Sequence, residues 1–303
     1  MSEIAHTPRA LTIAGSDSGG GAGIQADLKA FARCGVHGTS AITAITAQNT
    51  LGVTGVHPVP PEIILAQVRA VLADIGVDAV KVGMLGTVEA VRAVAQALDE
   101  LPAGTPVVVD PVMVAESGAQ LLDPDAQSAL VAEILPRATV LTPNVPEAHA
   151  LARHAPRSTR QKVTSASSTT GKLRQGTGPE LDRLEDEEAE AQALARAVLA
   201  LGPEIVVLTG GHRTQAVDLF LDSSAPEQIL SIPGERHLKG ASHGSGCTHS
   251  SVLAAQLALG RPPLQAAFAA RAFAGSAVFN GLRDVGEGPG PVDILGLAGL
   301  RRR

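Results

Sequence analysis

The chain has 303 residues, of which 45% are hydrophobic and 18% charged, with a net charge of −6 and no Trp or Tyr. This length suffices for a full hydrophobic core, and the acidic balance and scarcity of aromatic residues argue against binding to nucleic acid. The two cysteines, Cys34 and Cys247, match no disulfide or zinc pattern. No apolar signal core or membrane-length apolar window is present, so we expect a cytoplasmic protein that binds no membrane.

Short apolar runs alternate with amphipathic segments along most of the chain. The β-like runs predict strands at residues 10–14, 39–47, 78–82, 106–109, 139–141 and 205–208. The helical patterns predict helices at residues 24–33, 61–75, 87–98, 126–135, 181–201, 247–259 and 264–280. Strands that alternate with helices predict an α/β fold in which helices cover both faces of a parallel sheet.

The segment 158–178 departs from this pattern. It is rich in Ser, Thr, Gly and basic residues and contains no acidic residue. Segments with so few apolar residues bury too little surface to offset the entropy of ordering. We therefore predict a disordered surface insertion without a role, and an anion-binding arm is the alternative that its basic residues suggest.

The motif HGSGCT at residues 243–248 directly precedes a helical run. Glycines let the backbone approach a ligand closely, and the free N–H groups at a helix start bind anions. Gly244, Ser245 and Gly246 are therefore predicted to form an anion hole for a phosphoryl group. The helix end is expected to acidify the thiol of Cys247, which would then accept a proton from an attacking hydroxyl. The alternative is that Cys247 is a small buried residue at a helix start.

The glycine-rich segment AGSDSGGGAG at residues 14–23 joins the first strand to the first helix. It is suited to cradle a phosphate, although it lacks the Gly-Lys-Ser/Thr of a Walker loop. A turn that needs positive φ angles is the alternative interpretation. Asp27 lies one turn into the helix, where it could reach back to a ligand above the loop.

Polar side chains also follow several other predicted strands, where open α/β sheets bind their ligands. Asp110 and Glu147 follow two strand ends in VVVDPVM and LTPNVPE, and such carboxylates are suited to Mg²⁺ held together with nucleotide phosphates. Asn144 is their neutral neighbour or a helix N-cap. The amide of Gln48 matches the edge of an aminopyrimidine, and Met84 could pack on its flat ring. The alternative is that each is a structural or turn residue.

Seven sequence blocks, in this order, resemble the hydroxymethylpyrimidine/phosphomethylpyrimidine kinases of thiamine biosynthesis, within the ribokinase-like superfamily. The resemblance covers nearly the whole chain apart from the insertion and the two tails. The blocks are AGSDSGGGAGIQADLK, SAITAITAQNTLGV, DAVKVGMLG, VVVDPVMVAESGAQLL, TVLTPNVPEA, TGGH and HGSGCTHSS.

The resemblance implies one kinase domain over residues 1–303, with a core at about 9–285 and a three-layer α/β/α ribokinase-like fold without a separate lid domain. It implies that a homodimer uses ATP and Mg²⁺ to phosphorylate 4-amino-5-hydroxymethyl-2-methylpyrimidine to its monophosphate and then to its diphosphate. The implied pyrimidine-binding residues are Gln48, Gly15, Asp27, Met84 and Val112. The resemblance further implies that Asp110 and Glu147 organise Mg²⁺, that Asn144, Thr209 and Gly211 border the nucleotide, and that Cys247 takes the catalytic position.

Two positions depart from the family pattern. Thr209 replaces a lysine that family members commonly carry before Gly-Gly-His, and the anion-hole motif reads GSGC in place of GTGC. The alternatives that stay open are a pyridoxal kinase of the same superfamily and a catalytically silent pyrimidine-binding protein. A sugar kinase fits least, because such enzymes carry Asp where this chain has Cys247.

Overall fold

The apolar runs of the sequence assemble into one sheet. The structure is a computed structural model that describes residues 6–115, 118–168, 179–237 and 240–300. The strands are β1 Arg9–Asp17, β2 His37–Gln48, β3 Val53–Pro58, β4 Ala79–Val82, β5 Val107–Val109, β6 Val140–Leu141, β7 Ile205–Leu208, β8 Asp218–Asp222 and β9 Ile229–Ile232. The α-helices are α1 Gly23–Arg33, α2 Pro61–Asp74, α3 Val88–Asp99, α4 Pro124–Ala129, α5 Val145–Ala152, α6 Arg157–Ser168, α7 Pro179–Leu199, α8 Ser245–Ala258, α9 Pro263–Phe279 and α10 Leu297–Leu300.

The strand order in the sheet is β3-β2-β1-β4-β5-β6-β7-β8-β9. The strands from β2 to β7 in this order run parallel, whereas β3, β8 and β9 are added antiparallel at the two edges. All parallel strands therefore end at the same edge of the sheet. The predicted mostly parallel sheet is confirmed, and the three antiparallel strands β3, β8 and β9 were not anticipated from the sequence.

Side chains alternate between the two faces of the sheet, as strand geometry requires. Leu11, Ile13 and Val109 belong to the core cluster that packs against α2, α3, α4, α5 and α7. Ala10 and Val108 belong to the opposite cluster, which packs against α1, α8 and α9. The three-layer α/β/α architecture is thus confirmed, with both layers built almost entirely from aliphatic side chains.

The predicted disordered insertion is partly wrong. Residues 157–168 form α6, whereas 169–178 lie outside the described residues. Val163 is buried in the same core cluster as Leu194 of α7, so α6 gains a packed face despite its polar composition. Composition alone misses this helix because one well-placed apolar contact anchors a segment of otherwise adequate helix formers.

The helix predicted at 126–135 is irregular at its C-terminal end. After α4 the chain continues as a π-helical turn over Leu130–Ile134 and a 3₁₀ turn over Leu135–Arg137. Pro136 lacks an N–H donor and cannot continue the α-helical hydrogen bonds, which accounts for the change of winding. Of the helices described, none combines the length and apolar character needed to cross a membrane.

Candidate active site

A cleft of about 760 Å³ lies beyond the C-terminal ends of the parallel strands. Most of the residues predicted for the site line this one cleft. They are Gly15, Gln48, Met84, Asp110, Val112, Asn144, Glu147, Gly211, Gly244, Ser245, Gly246 and Cys247. Asp27 and Thr209 do not belong to its lining.

The predicted anion hole is the N-terminus of α8. Gly244 is the N-cap and has a φ of 83°, a conformation that side chains rarely adopt. A Cβ atom there would lie 1.8 Å from the carbonyl oxygen of Gly21, so the loop before α8 touches the glycine-rich loop after β1. The N–H groups of Ser245 and Thr248 donate to Ser242 and Gly244 within the turn. The amides between them belong to the first helical turn, whose N–H groups are available to bind an anion in the cleft.

Asp17 organises the glycine-rich loop, a role that the sequence did not reveal. Its carboxylate accepts hydrogen bonds from the N–H groups of Gly19, Gly21 and Ala22 at 2.8–3.0 Å. It also lies 3.1 Å from Nε2 of His243, the residue before the anion hole. Although burial opposes ionisation, His243 and these amides lower the pKa of Asp17. The Asp17–His243 pair therefore joins the two glycine loops that border the cleft.

Cys247 lies at the predicted position, but its thiol is not acidified. Burial raises the pKa of Cys247 to about 12, and the carboxylates of Asp110 and Asp27 reinforce the effect against the opposing charge of Lys81. The helix end was expected to lower this pKa. Desolvation prevails because it disfavours the thiolate more than the partial charge of a helix terminus favours it. The side chain is thus a neutral thiol at neutral pH.

Asp110 lies against the first turn of α8. Its Oδ2 accepts a hydrogen bond of 3.0 Å from the hydroxyl of Ser250, and a Cβ added to Gly246 would lie 4.0 Å from the same oxygen. Burial raises the pKa of Asp110, whereas Lys81 and Ser250 oppose the rise. Asp110 thus places a buried carboxyl group beside the predicted anion hole.

Glu147 and Asn144 form the capping box of α5. The Asn144 side chain accepts from the N–H of Glu147, and the Glu147 carboxylate accepts from the N–H of Asn144, both at 2.9 Å. Burial first, and then the charge of Asp110, raise the pKa of Glu147 to about 8. The interpretation of Asn144 as a helix N-cap is therefore correct, and Glu147 is its partner in the same capping box.

The carboxyl groups of Asp110 and Glu147 are suited to bind Mg²⁺ together with nucleotide phosphates. No group of three or more His, Cys, Asp or Glu side chains in the described part of the chain is arranged to hold a metal by itself. Mg²⁺ in nucleotide sites typically takes only one or two carboxylates and completes its shell with phosphates and water. Two close, buried carboxylates whose pKa values are raised fit that donor set.

Asp27 is not a lining residue, which corrects the prediction that it binds the pyrimidine. It is fully buried, and both of its oxygens lie 3.0 Å from Nζ of Lys81. The hydroxyls of Thr12 and Ser251 donate to the same carboxylate at 2.6 Å. These four hydrogen bonds hold the Asp27 carboxylate in the interior of the protein, so it does not reach over the glycine-rich loop to a ligand. Lys81 reaches the cleft in its place, and its position at the end of a buried strand was the overlooked signal.

The predicted pyrimidine side of the cleft contains Gln48, Gly15, Met84 and Val112. The hydroxyl of Thr46 donates to the carbonyl of Ser16 at 2.8 Å and lies 3.1 Å from Oε1 of Gln48, so the Gln48 side chain is held against β1 and β2. A Cβ on Gly15 would lie 2.9 Å from Sδ of Met84, so only glycine lets Met84 occupy this wall. The arrangement combines a flat apolar wall with one oriented amide.

Asp218 holds the predicted nucleotide-binding loop, which follows β7, in position. Its Oδ1 accepts a hydrogen bond of 2.8 Å from the N–H of Gly210, and its Oδ2 lies 3.2 Å from Nε2 of His249 on α8. Gly211 lines the cleft. The prediction that Thr209 borders the nucleotide is corrected, because Thr209 does not line the cleft and its hydroxyl donates to the carbonyl of Pro143. No sequence pattern pointed to Asp218, which follows this loop on the unpredicted strand β8.

Comparison with known proteins identifies related sequences over nearly the whole chain. The family described as phosphomethylpyrimidine kinase matches residues 17–179 and 177–293. A hydroxymethylpyrimidine/phosphomethylpyrimidine kinase of Rhizobium meliloti is 44% identical over 94% of this chain and 96% of its own length. The protein of that name from Bacillus subtilis is 40% identical over 94% of both chains.

Solved structures agree with this relationship. The pyridoxal kinase of Staphylococcus aureus in complex with AMP-PCP and pyridoxal has a TM-score of 0.74 and 32% identity, over 96% of this chain and 94% of that one. The phosphomethylpyrimidine kinase of Clostridium difficile has a TM-score of 0.63 and 35% identity, over 88% of this chain and 96% of that one. These similarities confirm the resemblance carried by the seven sequence blocks, and the chain belongs to the phosphomethylpyrimidine kinase family.

Proposed function

We propose that this protein transfers the γ-phosphoryl group of ATP to 4-amino-5-hydroxymethyl-2-methylpyrimidine, and then phosphorylates the monophosphate to the diphosphate. The observation that carries the proposal is the single cleft in which the N-terminus of α8 faces both the Gln48–Met84 wall and the carboxylates of Asp110 and Glu147. Phosphoryl transfer needs little from a protein beyond alignment and charge stabilisation, and this cleft offers both.

The wall formed by Gly15, Met84 and Val112 would pack on the pyrimidine ring, with Gln48 at its edge. The amide of Gln48 belongs to the cleft lining and offers both a donor and an acceptor to the ring edge. A ring nitrogen is the matching acceptor. The hydroxymethyl group would then point toward Cys247 and the first turn of α8.

The nucleotide would lie on the other side of the cleft, near Asn144 and Gly211. ATP as the donor agrees with the AMP-PCP and ADP complexes of the related pyridoxal kinases. Asp110 and Glu147 would hold Mg²⁺, which when bound neutralises phosphate charge during transfer. The amides of Gly246 and Cys247 would bind the oxygens of the transferred phosphoryl group.

Product analysis tests this proposal. The purified protein is incubated with ATP, Mg²⁺ and hydroxymethylpyrimidine, and the mono- and diphosphate are resolved by chromatography. We expect both to appear in sequence. In the Asp110→Asn variant we expect both steps to become about 100-fold slower, since a metal-binding charge is removed. Pyrimidine binding without ATP consumption would instead identify a silent binding protein.

Pyridoxal is a second candidate substrate. The TM-scores to the pyridoxal kinases, 0.74–0.75, exceed the value of 0.63 for the phosphomethylpyrimidine kinase of Clostridium difficile. We therefore include pyridoxal in the same assay and compare kcat/KM for the two rings. A higher kcat/KM for pyridoxal would make pyridoxal phosphorylation the primary activity and pyrimidine phosphorylation the secondary one.

We also propose a cytoplasmic homodimer, for which the β2–β3 edge is the candidate interface. β3 is an edge strand whose outer residues are exposed, and the apolar side chains of Ile45, Leu51 and Val56 are exposed on this ribbon. Exposed apolar edge strands are ordinarily paired or covered. Light scattering should give the mass of a dimer, and Val56→Lys should give a monomer. A monomeric wild type would contradict this assignment.

A further inference from the structure

Lys81 is the one lysine or arginine among the described residues that line the cleft. The same lining contains the carboxylates of Asp17, Asp110 and Glu147. Thr209, after β7, is uncharged and does not belong to the cleft lining. A cleft that receives phosphates thus depends on Lys81 for permanent positive charge.

The ammonium group of Lys81 is fixed in position. It is fully buried at the end of β4, and its two side-chain hydrogen bonds, each 3.0 Å long, go to the two oxygens of Asp27. The hydroxyls of Thr12 and Ser251 hold that carboxylate from other directions. An ammonium has three N–H donors, so one donor is not spent on Asp27.

The positive charge of Lys81 acts on the side of the cleft where the phosphoryl group would be transferred. Burial alone lowers its pKa, but the carboxylates of Asp27 and Asp110 raise the pKa above its ordinary value. Lys81 therefore stays protonated. Asp27, which holds the ammonium, also accepts a hydrogen bond from Ser251 of α8, and the neighbouring Ser250 donates to Asp110. The ammonium therefore lies close to the start of α8, where the phosphoryl group would be transferred.

Stability does not explain why two charges are buried here. Removing two ions from water costs several kcal/mol for each ion, and apolar replacements of buried pairs are often neutral or stabilising. The other residues of β4 are apolar and fully buried, so an apolar residue would suit position 81. The charge has to serve something other than packing.

We propose that Lys81 supplies a fixed positive charge beneath the transferred phosphoryl group, and that Asp27 positions it. The proposal rests on the proposed kinase function. A preorganised charge in a site that excludes water stabilises the oxygens of a phosphoryl group without reorganisation during transfer. Asp27 acts through Lys81 and touches no substrate.

The test replaces both charges together, so that no unpaired ion remains buried. In Lys81→Met with Asp27→Asn, the asparagine amide keeps partners for Thr12 and Ser251. We expect a folded protein whose kcat falls about 100-fold, the loss typical of a missing electrostatic contact in phosphoryl or acyl transfer. The KM for the pyrimidine should stay within about threefold, and calorimetry should show the preference for AMP-PCP over ADP reduced about tenfold. Lys81→Gln with Asp27→Asn is the second variant, which retains hydrogen bonding at both positions.

Lys162→Met on the exposed face of α6 is the matched control, since it removes one lysine far from the cleft lining. The proposal would be overturned if the double variant folds, keeps kcat within threefold of the wild type and keeps its preference for AMP-PCP. Lys81 and Asp27 would then have only a structural role. If the wild type does not phosphorylate the pyrimidine, the proposed function fails. The preference for AMP-PCP over ADP then decides the role of Lys81 by itself.

Discussion

The Cys247 thiol is neutral at neutral pH, because burial and two nearby carboxylates raise its pKa to about 12. A neutral thiol does not accept the proton of an attacking hydroxyl. General bases typically contribute about 10²–10⁴-fold to a rate, so the loss on removal is diagnostic. We expect Cys247→Ala to slow both phosphorylations by a similar factor of less than about tenfold.

Single-turnover rates of each step, measured separately with the pyrimidine and its monophosphate, check this expectation. Cys34→Ala is the control, because it removes the other cysteine of the chain from outside the cleft. A loss of 100-fold or more confined to the first step would restore the base role that the sequence predicted.

Gly244 is the residue on which the anion hole depends. Its φ of 83° and the 1.8 Å approach of an added Cβ to Gly21 leave no room for a side chain. We expect Gly244→Ala to lower the free energy of unfolding by about 2–4 kcal/mol and to abolish turnover, because the two glycine loops must separate. Gly275→Ala on α9 is the matched control, since nothing lies within 4 Å of its added Cβ. Equal activity in the two variants would show that the loops need not touch.

At the scale of elements, Asp218 couples three of them. It is fully buried on β8 and contacts both the Gly210 loop after β7 and His249 on α8. We expect Asp218→Asn to raise the KM for ATP by about tenfold and to leave the KM for the pyrimidine within about twofold, because the loop lies on the side of the cleft where we propose that the nucleotide binds. Asp222→Asn at the other end of β8 is the control. A parallel rise of both KM values would indicate general loosening instead.

The sequence predicted the parallel strands and the edge of the sheet where the site lies, because buried strands read as continuous apolar runs. It missed β3, β8 and β9, the short antiparallel strands that extend the parallel sheet at its two ends, because their register is set by pairing with neighbouring strands. The glycine motif and Cys247 were visible because their chemistry is local. Lys81, Asp17 and Asp218 were not, since their roles come from partners that lie far apart in sequence.

The case of Asp27 illustrates the limit. Its position one turn into α1 suggested a reach toward the ligand, yet Lys81 lies 54 residues further along the chain and occupies both of its oxygens. No local pattern encodes that pairing. The raised pKa of Cys247 is of the same kind, because it depends on burial and on carboxylates from other elements.

At the scale of the whole molecule, the start of β1 is fixed to the start of β4, at the end of the sheet away from the cleft. Asp78 accepts hydrogen bonds from the backbone N–H, Nε and Nη2 of Arg9 at 2.8–3.2 Å, and His6 lies 3.0 Å from the same carboxylate. Burial alone would raise the pKa of Asp78, but these partners lower it from 3.8 to about 2. The folded state therefore favours the ionised carboxylate.

The sign of the resulting pH dependence follows from linkage. A carboxyl group with a lowered pKa contributes its full stabilisation above the unfolded pKa and loses it as the pH falls through the folded pKa. For Asp78 that window lies between pH 3.8 and about 2. We expect Asp78→Asn to lower the free energy of unfolding by about 1–2 kcal/mol at pH 7, with the difference from the wild type shrinking below pH 4. Urea unfolding at several pH values measures this, with Asp74→Asn, an exposed residue at the end of α2, as the control. A difference that is constant down to pH 2 would mean that packing, and not the ion pair, fixes the two strands together.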